Sequence, residues 1–125
     1  MSQLSGNVLA FIGDAVLSLQ VRQHLVAQGI TKTKQLQELS TRFVSAKSQA
    51  LFMKNLLEND ALTEEEMVMY KRGRNAKSTS IAKNADVTTY RIATGFESLW
   101  GYLYETQQTE RLDQLWNAFI ETVEL

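Results

Sequence analysis

Apolar side chains recur along this chain at three- and four-residue steps, the spacing of one face of an α-helix. From Gly6 to about Gln28, Val8, Ile12, Ala15, Val16 and Leu19 fall on one stripe, and Phe11 and Leu17 widen the apolar surface beyond it. That width predicts burial on two sides, against the chain's own core and against a second subunit. Ser5 is placed to cap the start of this helix and Gly29 to end it in a left-handed turn.

After a short connector with Thr33 as a cap, Leu36, Leu39, Phe43, Val44, Leu51, Phe52, Leu56 and Leu57 predict one long helix, or two with a bend near Ser40–Thr41, ending at Asn59 and Asp60. Thr63 and Glu66 form a capping-box pair for a helix running to about Lys71, and Glu64 and Glu65 suit its positive end. Residues 71–84, KRGRNAKSTSIAKN, break the pattern and predict a loop or a short, poorly packed helix. Asp86 can cap a helix from Val87 to about Glu105 with Tyr90, Ala93, Phe96 and Trp100 inward. A last helix from Thr109 to near Val123 turns Leu112, Leu115, Trp116, Phe119 and Ile120 to the core. No segment alternates as a strand does, so the predicted class is all-α, in one domain over residues 1–125.

Composition narrows the classes. At 125 residues the chain buries roughly two thirds of its unfolded surface, enough for a real core. No apolar run approaches the roughly 18 residues of a membrane span, and the start, MSQLSGN, has no export pattern. The absence of cysteine excludes disulfides and thiolate metal sites and suits a cytoplasmic location. A net charge of −1 conceals segregation: residues 15–57 carry six basic side chains against one acid, residues 67–85 five against none, and residues 97–125 six acids against Arg111. The basic charge can form one face for a polyanion, or simply a solvated surface of mixed charge.

Two acids stand out. Asp14 lies inside LAFIGDAVLSL (residues 9–19) and Glu97 inside ATGFESLWGYLY (residues 93–104), each the lone charge in an apolar stretch. Burying such a charge is costly unless it is paired. Ala10 and Ser18 share a face with Asp14, and Ala93 and Gly101 share one with Glu97, so rows of small side chains let the two helices approach closely. Two facing carboxylates about 4 Å apart would repel by roughly 4 kcal/mol at an effective dielectric of 20. A proton on one of them, or a cation between them, would relieve this. All-oxygen ligation with one carboxylate per helix suits Mg²⁺, with Mn²⁺ as a substitute. The alternative is that each acid pairs with a base such as Arg91 or Lys83.

These stretches also resemble a known family. LAFIGDAVLSL resembles the signature helix of the ribonuclease III family, and ATGFESLWGYLYE its second acidic helix. FVSAKSQA (residues 43–50), the TEEE helix start, KRGRNAKS (residues 71–78) and NADVTTYRIATGFE, in that order, resemble its small Mini-III branch, over about residues 4–115. That branch is a ribonuclease III catalytic domain without a double-stranded-RNA-binding domain. The resemblance implies a homodimer that cuts double-stranded RNA with Mg²⁺, with Asp14 and Glu97 as the catalytic, metal-binding acids. Each subunit would hydrolyse one strand, and the signature helices would pair about the twofold axis. The implied substrate is the precursor of large-subunit (23S) ribosomal RNA, and whether a large-subunit ribosomal protein presents it stays open. Asn7, Ala10 and Thr94 stand where the larger enzymes carry further acids, a loss the Mini-III branch shares, so two acids per site and weak metal affinity are implied.

Under that resemblance Lys71, Arg72, Arg74, Asn75 and Lys77 would contact the RNA backbone, with Lys47 and Lys83 as further contacts. Arginine suits bidentate phosphate contacts, and A-form RNA is recognised mainly by shape. His24, near the end of the first helix, is expected at a surface or capping position, and Trp100 and Trp116 in the core. Two alternatives remain. One is a catalytically silent domain that binds structured RNA or a ribosome-assembly partner. The other is a nucleotide pyrophosphohydrolase built on Glu64–Glu66, although dipole complementation accounts better for those three acids.

Overall fold

The computed structural model describes residues 4–77 and 86–124 and is helical throughout them. Six helices follow in order: α1 (Gly6–Ala27), α2 (Thr33–Phe43), α3 (Ala46–Glu58), α4 (Glu64–Arg74), α5 (Val87–Glu105) and α6 (Thr109–Val123). Most of the predicted punctuation is present. The Ser5 hydroxyl accepts from the Val8 N–H, Gly29 is left-handed at φ 91°, the Thr63–Glu66 capping box is complete, and Asp86 caps α5.

Two boundaries differ from expectation. The bend between α2 and α3 falls at Val44–Ser45 rather than at Ser40–Thr41, and Thr33 is the first helical residue of α2 rather than its side-chain cap. Ser45 sets the bend: its extended backbone interrupts the helix, and its Oγ accepts from the Ser48 N–H at 3.1 Å. Ser48 Oγ donates back to the Arg42 carbonyl at 3.0 Å, so side chains take over hydrogen bonds that the end of α2 leaves unmade. The helix expected to stop near Lys71 continues to Arg74, with Lys71, Arg72 and Arg74 in its last turn, where cations complement the helix dipole.

α5 is the central helix, packed by α1, α4, α3 and α6. Nearly every residue from Ile92 to Leu103 is buried. Phe96 stacks on Trp100 at 4.5 Å between ring centres, and Phe52 of α3 meets both rings edge-on. Trp100 is wholly buried, and its indole N–H donates to Gln20 at 2.7 Å, so its polar edge is satisfied inside the core. Trp116 is only partly buried, packed against the edge of the core. His24 is half-buried rather than at the surface: its ring meets Phe43 and Trp116 edge-on and pairs with Glu124.

The largest revision concerns α1. Its core face is the row Leu9, Gly13, Leu17, Val21, Leu25, whereas Val8, Ala15 and Leu19 of the predicted stripe, and Phe11 beside it, are exposed. The two rows are one residue apart, about 100° around the helix. A count of apolar side chains misses the buried row because its decisive member, Gly13, has none. A Cβ at Gly13 would overlap the carbonyl oxygen of Glu97, and one at Gly101 that of Leu9, so α1 and α5 touch backbone to backbone. The close approach expected from rows of small residues therefore exists, at Gly101 as expected on α5, but at Gly13 rather than at Ala10 and Ser18 on α1.

Gly13→Ala should lower unfolding stability by about 1–3 kcal/mol, the range of overpacked cores, in urea denaturation followed by circular dichroism. An unchanged midpoint would show that the helices can separate without loss.

Candidate active site

Backbone contact between α1 and α5 places Asp14 and Glu97 on either side of one crossing. Glu97 is half-buried and close enough to Asp14 for the two carboxyls to interact, while Asp14 itself is exposed. Burial pushes the Glu97 carboxyl up to about 8, the neighbouring Asp14 carboxylate pushes it the same way, and a hydrogen bond from Gln49 opposes both. Burial and the Asp14 charge therefore both favour the protonated form of Glu97 when no cation is bound. Among the described residues neither acid is in an ion pair, so the pairing with Arg91 considered above is not observed, and Lys83 lies outside the described residues.

Two carboxylates, one of them too buried to ionise freely, form a site that a positive charge would complete. No third His, Cys, Asp or Glu among the described residues joins them in a group of three. That donor set fits a hard cation that keeps most of its water and takes one or two protein carboxylates, such as Mg²⁺. It does not fit a closed four-ligand zinc site.

The basic residues reach the same neighbourhood through glycine packing. A Cβ on Gly73 would strike the Thr94 carbonyl and the Ser98 side chain, which flank Glu97 along α5, and one on Gly6 would strike the Arg72 carbonyl. The last turn of α4 is thus pressed against α5 beside Glu97 and against the start of α1. Arg72 donates to the Leu4 carbonyl at 3.0 Å, and Asn7 donates to the Lys77 carbonyl at 2.9 Å, tying this segment down. Arg74 lies 5.8 Å over the Tyr70 ring and donates to the Asn75 side chain at 3.2 Å. Lys71, Asn75 and Lys77 are exposed, as is Lys47 in the first turn of α3. Glu66, read from sequence as a capping acid and as one of three acids of a possible pyrophosphohydrolase site, is buried. Burial pushes its carboxyl up, but the bidentate Arg111 guanidinium, at 2.8 and 2.9 Å, and the Thr63 N–H outweigh that and hold it below its usual value.

One residue that touches the site was not anticipated. Gln49 of α3 is buried and its side-chain amide reaches Glu97. A signal existed: Gln49 occupies the core stripe of α3 with Phe52, Met53 and Leu56, a polar group where an apolar one is expected. A further feature is a groove of about 840 Å³ beside Asp14, lined by that residue with Phe11, Ala15, Leu19, Tyr104 and Leu112 among others.

Comparison with known proteins points the same way. The Ribonuclease III domain family profile matches residues 7–108. Mini-ribonuclease 3 of Enterococcus faecalis is 58% identical over 97% of this chain and 92% of its own length. That of Streptococcus pneumoniae is 50% identical over 97% and 94%. The crystal structure of a Fusobacterium nucleatum protein, 31% identical, superposes with a TM-score of 0.84 over 98% of this chain and 96% of that one.

Because the fold raises the pKa of Glu97, its contribution to stability is fully present below the unfolded value near 4.5 and is lost as pH rises towards about 8. In EDTA, the melting temperature of the wild type should therefore fall relative to Glu97→Gln across that window, and the gap should level off above it. Parallel curves would mean that neither burial nor Asp14 raises the Glu97 carboxyl.

Proposed function

The chain belongs to the ribonuclease III family and is a ribonuclease of that family, and from that premise we propose that it is a Mg²⁺-dependent endoribonuclease that cleaves double-stranded RNA. The observation that carries this is the carboxylate pair at the α1–α5 crossing, where a half-buried Glu97 faces Asp14. A binding module would gain nothing from holding two acids together at this cost in desolvation and repulsion. Asp14 and Glu97 hold the cation and so fix where the scissile phosphate lies. When bound, Mg²⁺ lowers the pKa of a coordinated water and stabilises charge on the phosphate. The last turn of α4 and the residues after it, Lys71, Arg72, Arg74, Asn75 and Lys77, contact the backbone of the duplex, and Lys47 does so from α3. The positive charge of that turn also offsets the repulsion between the RNA phosphates and the two acids.

The working unit is a homodimer. Phe11 is 81% exposed, and with Val8, Ala15 and Leu19 it forms an apolar face that opens on the groove beside Asp14. A helix face this apolar needs a partner, and a second copy of the same face, related by a twofold axis, supplies one that is self-complementary. Because Asp14 also lines the groove, the interface borders the site, and two sites on one dimer suit the two strands of a duplex. Likeness to the Mini-III branch makes the precursor of large-subunit ribosomal RNA the proposed substrate, in the cytoplasm.

A labelled RNA duplex incubated with wild-type protein should be cut on both strands with Mg²⁺ and left intact with EDTA. Asp14→Asn should abolish cleavage while duplex binding, followed by gel shift, persists. Cutting by that variant at the wild-type rate would remove Asp14 from the site. Binding without cutting by the wild type, even with Mn²⁺, would favour a silent RNA-binding domain instead. Phe11→Glu should convert the dimer to a folded monomer in sedimentation equilibrium, and a dimer that persists would place the interface elsewhere.

A further inference from the structure

Gln49 is 97% removed from solvent, being 3% exposed, and lies in the row of α3 that packs on the core. Its amide nitrogen donates twice: to the Val44 carbonyl at 3.0 Å and, over a longer 3.4 Å, to Glu97 Oε2. The Val44 carbonyl can only accept, so the orientation of the amide is determined: turned over, its oxygen would face that carbonyl and leave it without a donor. In the orientation observed, Oε1 is buried with no hydrogen-bond partner among the described residues. A buried acceptor without a partner is destabilising. Methionine would fill nearly the same volume against Phe52, Met53 and Leu56 without that cost, so packing alone does not account for a glutamine here.

The Val44 carbonyl to which Gln49 is anchored belongs to the bend that separates α2 from α3. The amide thus ties Glu97, on the central helix, to a backbone point that the Ser45 cap holds in place. Gln49 also favours the ionised form of Glu97, against burial and the Asp14 charge.

We propose that Gln49 is a positioning residue of the site: bridging the Val44 carbonyl and Glu97 Oε2, it sets the direction of the Glu97 carboxylate and holds it ready for the divalent cation. This rests on the metal site proposed above. Groups that orient a metal ligand typically account for 10- to 100-fold in affinity.

The test is direct Mn²⁺ binding to RNA-free protein, counting free Mn²⁺ by electron paramagnetic resonance, for the wild type, Gln49→Met and Glu97→Gln, with melting temperatures taken in EDTA. Gln49→Met should melt within a few degrees of the wild type yet bind Mn²⁺ about 10-fold or more weakly. A purely structural role gives the reverse, a lower melting temperature with Mn²⁺ affinity of the folded protein unchanged, and that result overturns the proposal. Should the methionine variant fail to fold, Gln49→Asn keeps an amide but withdraws it by one methylene from Glu97, and it should show the same loss. A folded asparagine variant with wild-type affinity would equally overturn the proposal. Failure of the underlying reading looks different: the wild type itself would bind no more Mn²⁺ than Glu97→Gln does.

Discussion

The structure depends on one contact, the backbone-to-backbone crossing of α1 and α5 at Gly13 and Gly101. Two helices ordinarily stand 8–10 Å apart, held off by their side chains. Here the missing Cβ atoms let the carbonyls of Leu9 and Glu97 occupy the space side chains would fill. The same approach serves packing and chemistry. It lets Leu9, Leu17, Val21 and Leu25 close onto the central helix, and it brings two carboxyls from different helices within reach of each other. The repulsion and desolvation at Glu97 follow from that closeness, offset by burial of the α1 row.

Glycine also places the cationic turn. Gly6 and Gly73 let α4 lie against α1 and α5, so that Lys71, Arg72 and Arg74 emerge next to the stretch of α5 that carries Glu97. The charge segregation visible along the chain thereby becomes a spatial arrangement of cations beside acids. At the opposite end of α4, Glu66 is buried under Arg111 of α6. Such a pair adds little net stability but fixes how α6 sits, because removing either partner would strand a buried charge.

The bend after α2 links the periphery to the site. Ser45 and Ser48 satisfy the end of α2 and redirect the chain, and α3 then lays Phe52 and Met53 into the aromatic core while turning Gln49 towards Glu97. Polar side chains at the bend set the direction, and apolar ones a turn later hold it.

By itself the sequence determined the helical class, most helix ends and which two acids the α1–α5 crossing brings together. Those features depend on local chemistry: periodicity, capping side chains such as Ser5, Thr63 and Asp86, and a lone charge within an apolar run. It also marked the breadth of apolar surface on α1. Only the tertiary structure decided which part of that surface is core. The buried row turns on Gly13, whose contribution is an absent atom and carries no hydrophobic signal. The same holds for the true bend at Ser45, chosen by hydrogen bonds reaching six residues back, as from Ser48 to Arg42, and for the last turn of α4, held helical by its packing on α5. Gln49 shows the limit most clearly. Its spacing from Phe52, Met53 and Leu56 is that of a core position, a signal the sequence reading passed over, but that its amide would face a carboxyl 48 residues away is a property of how the helices meet.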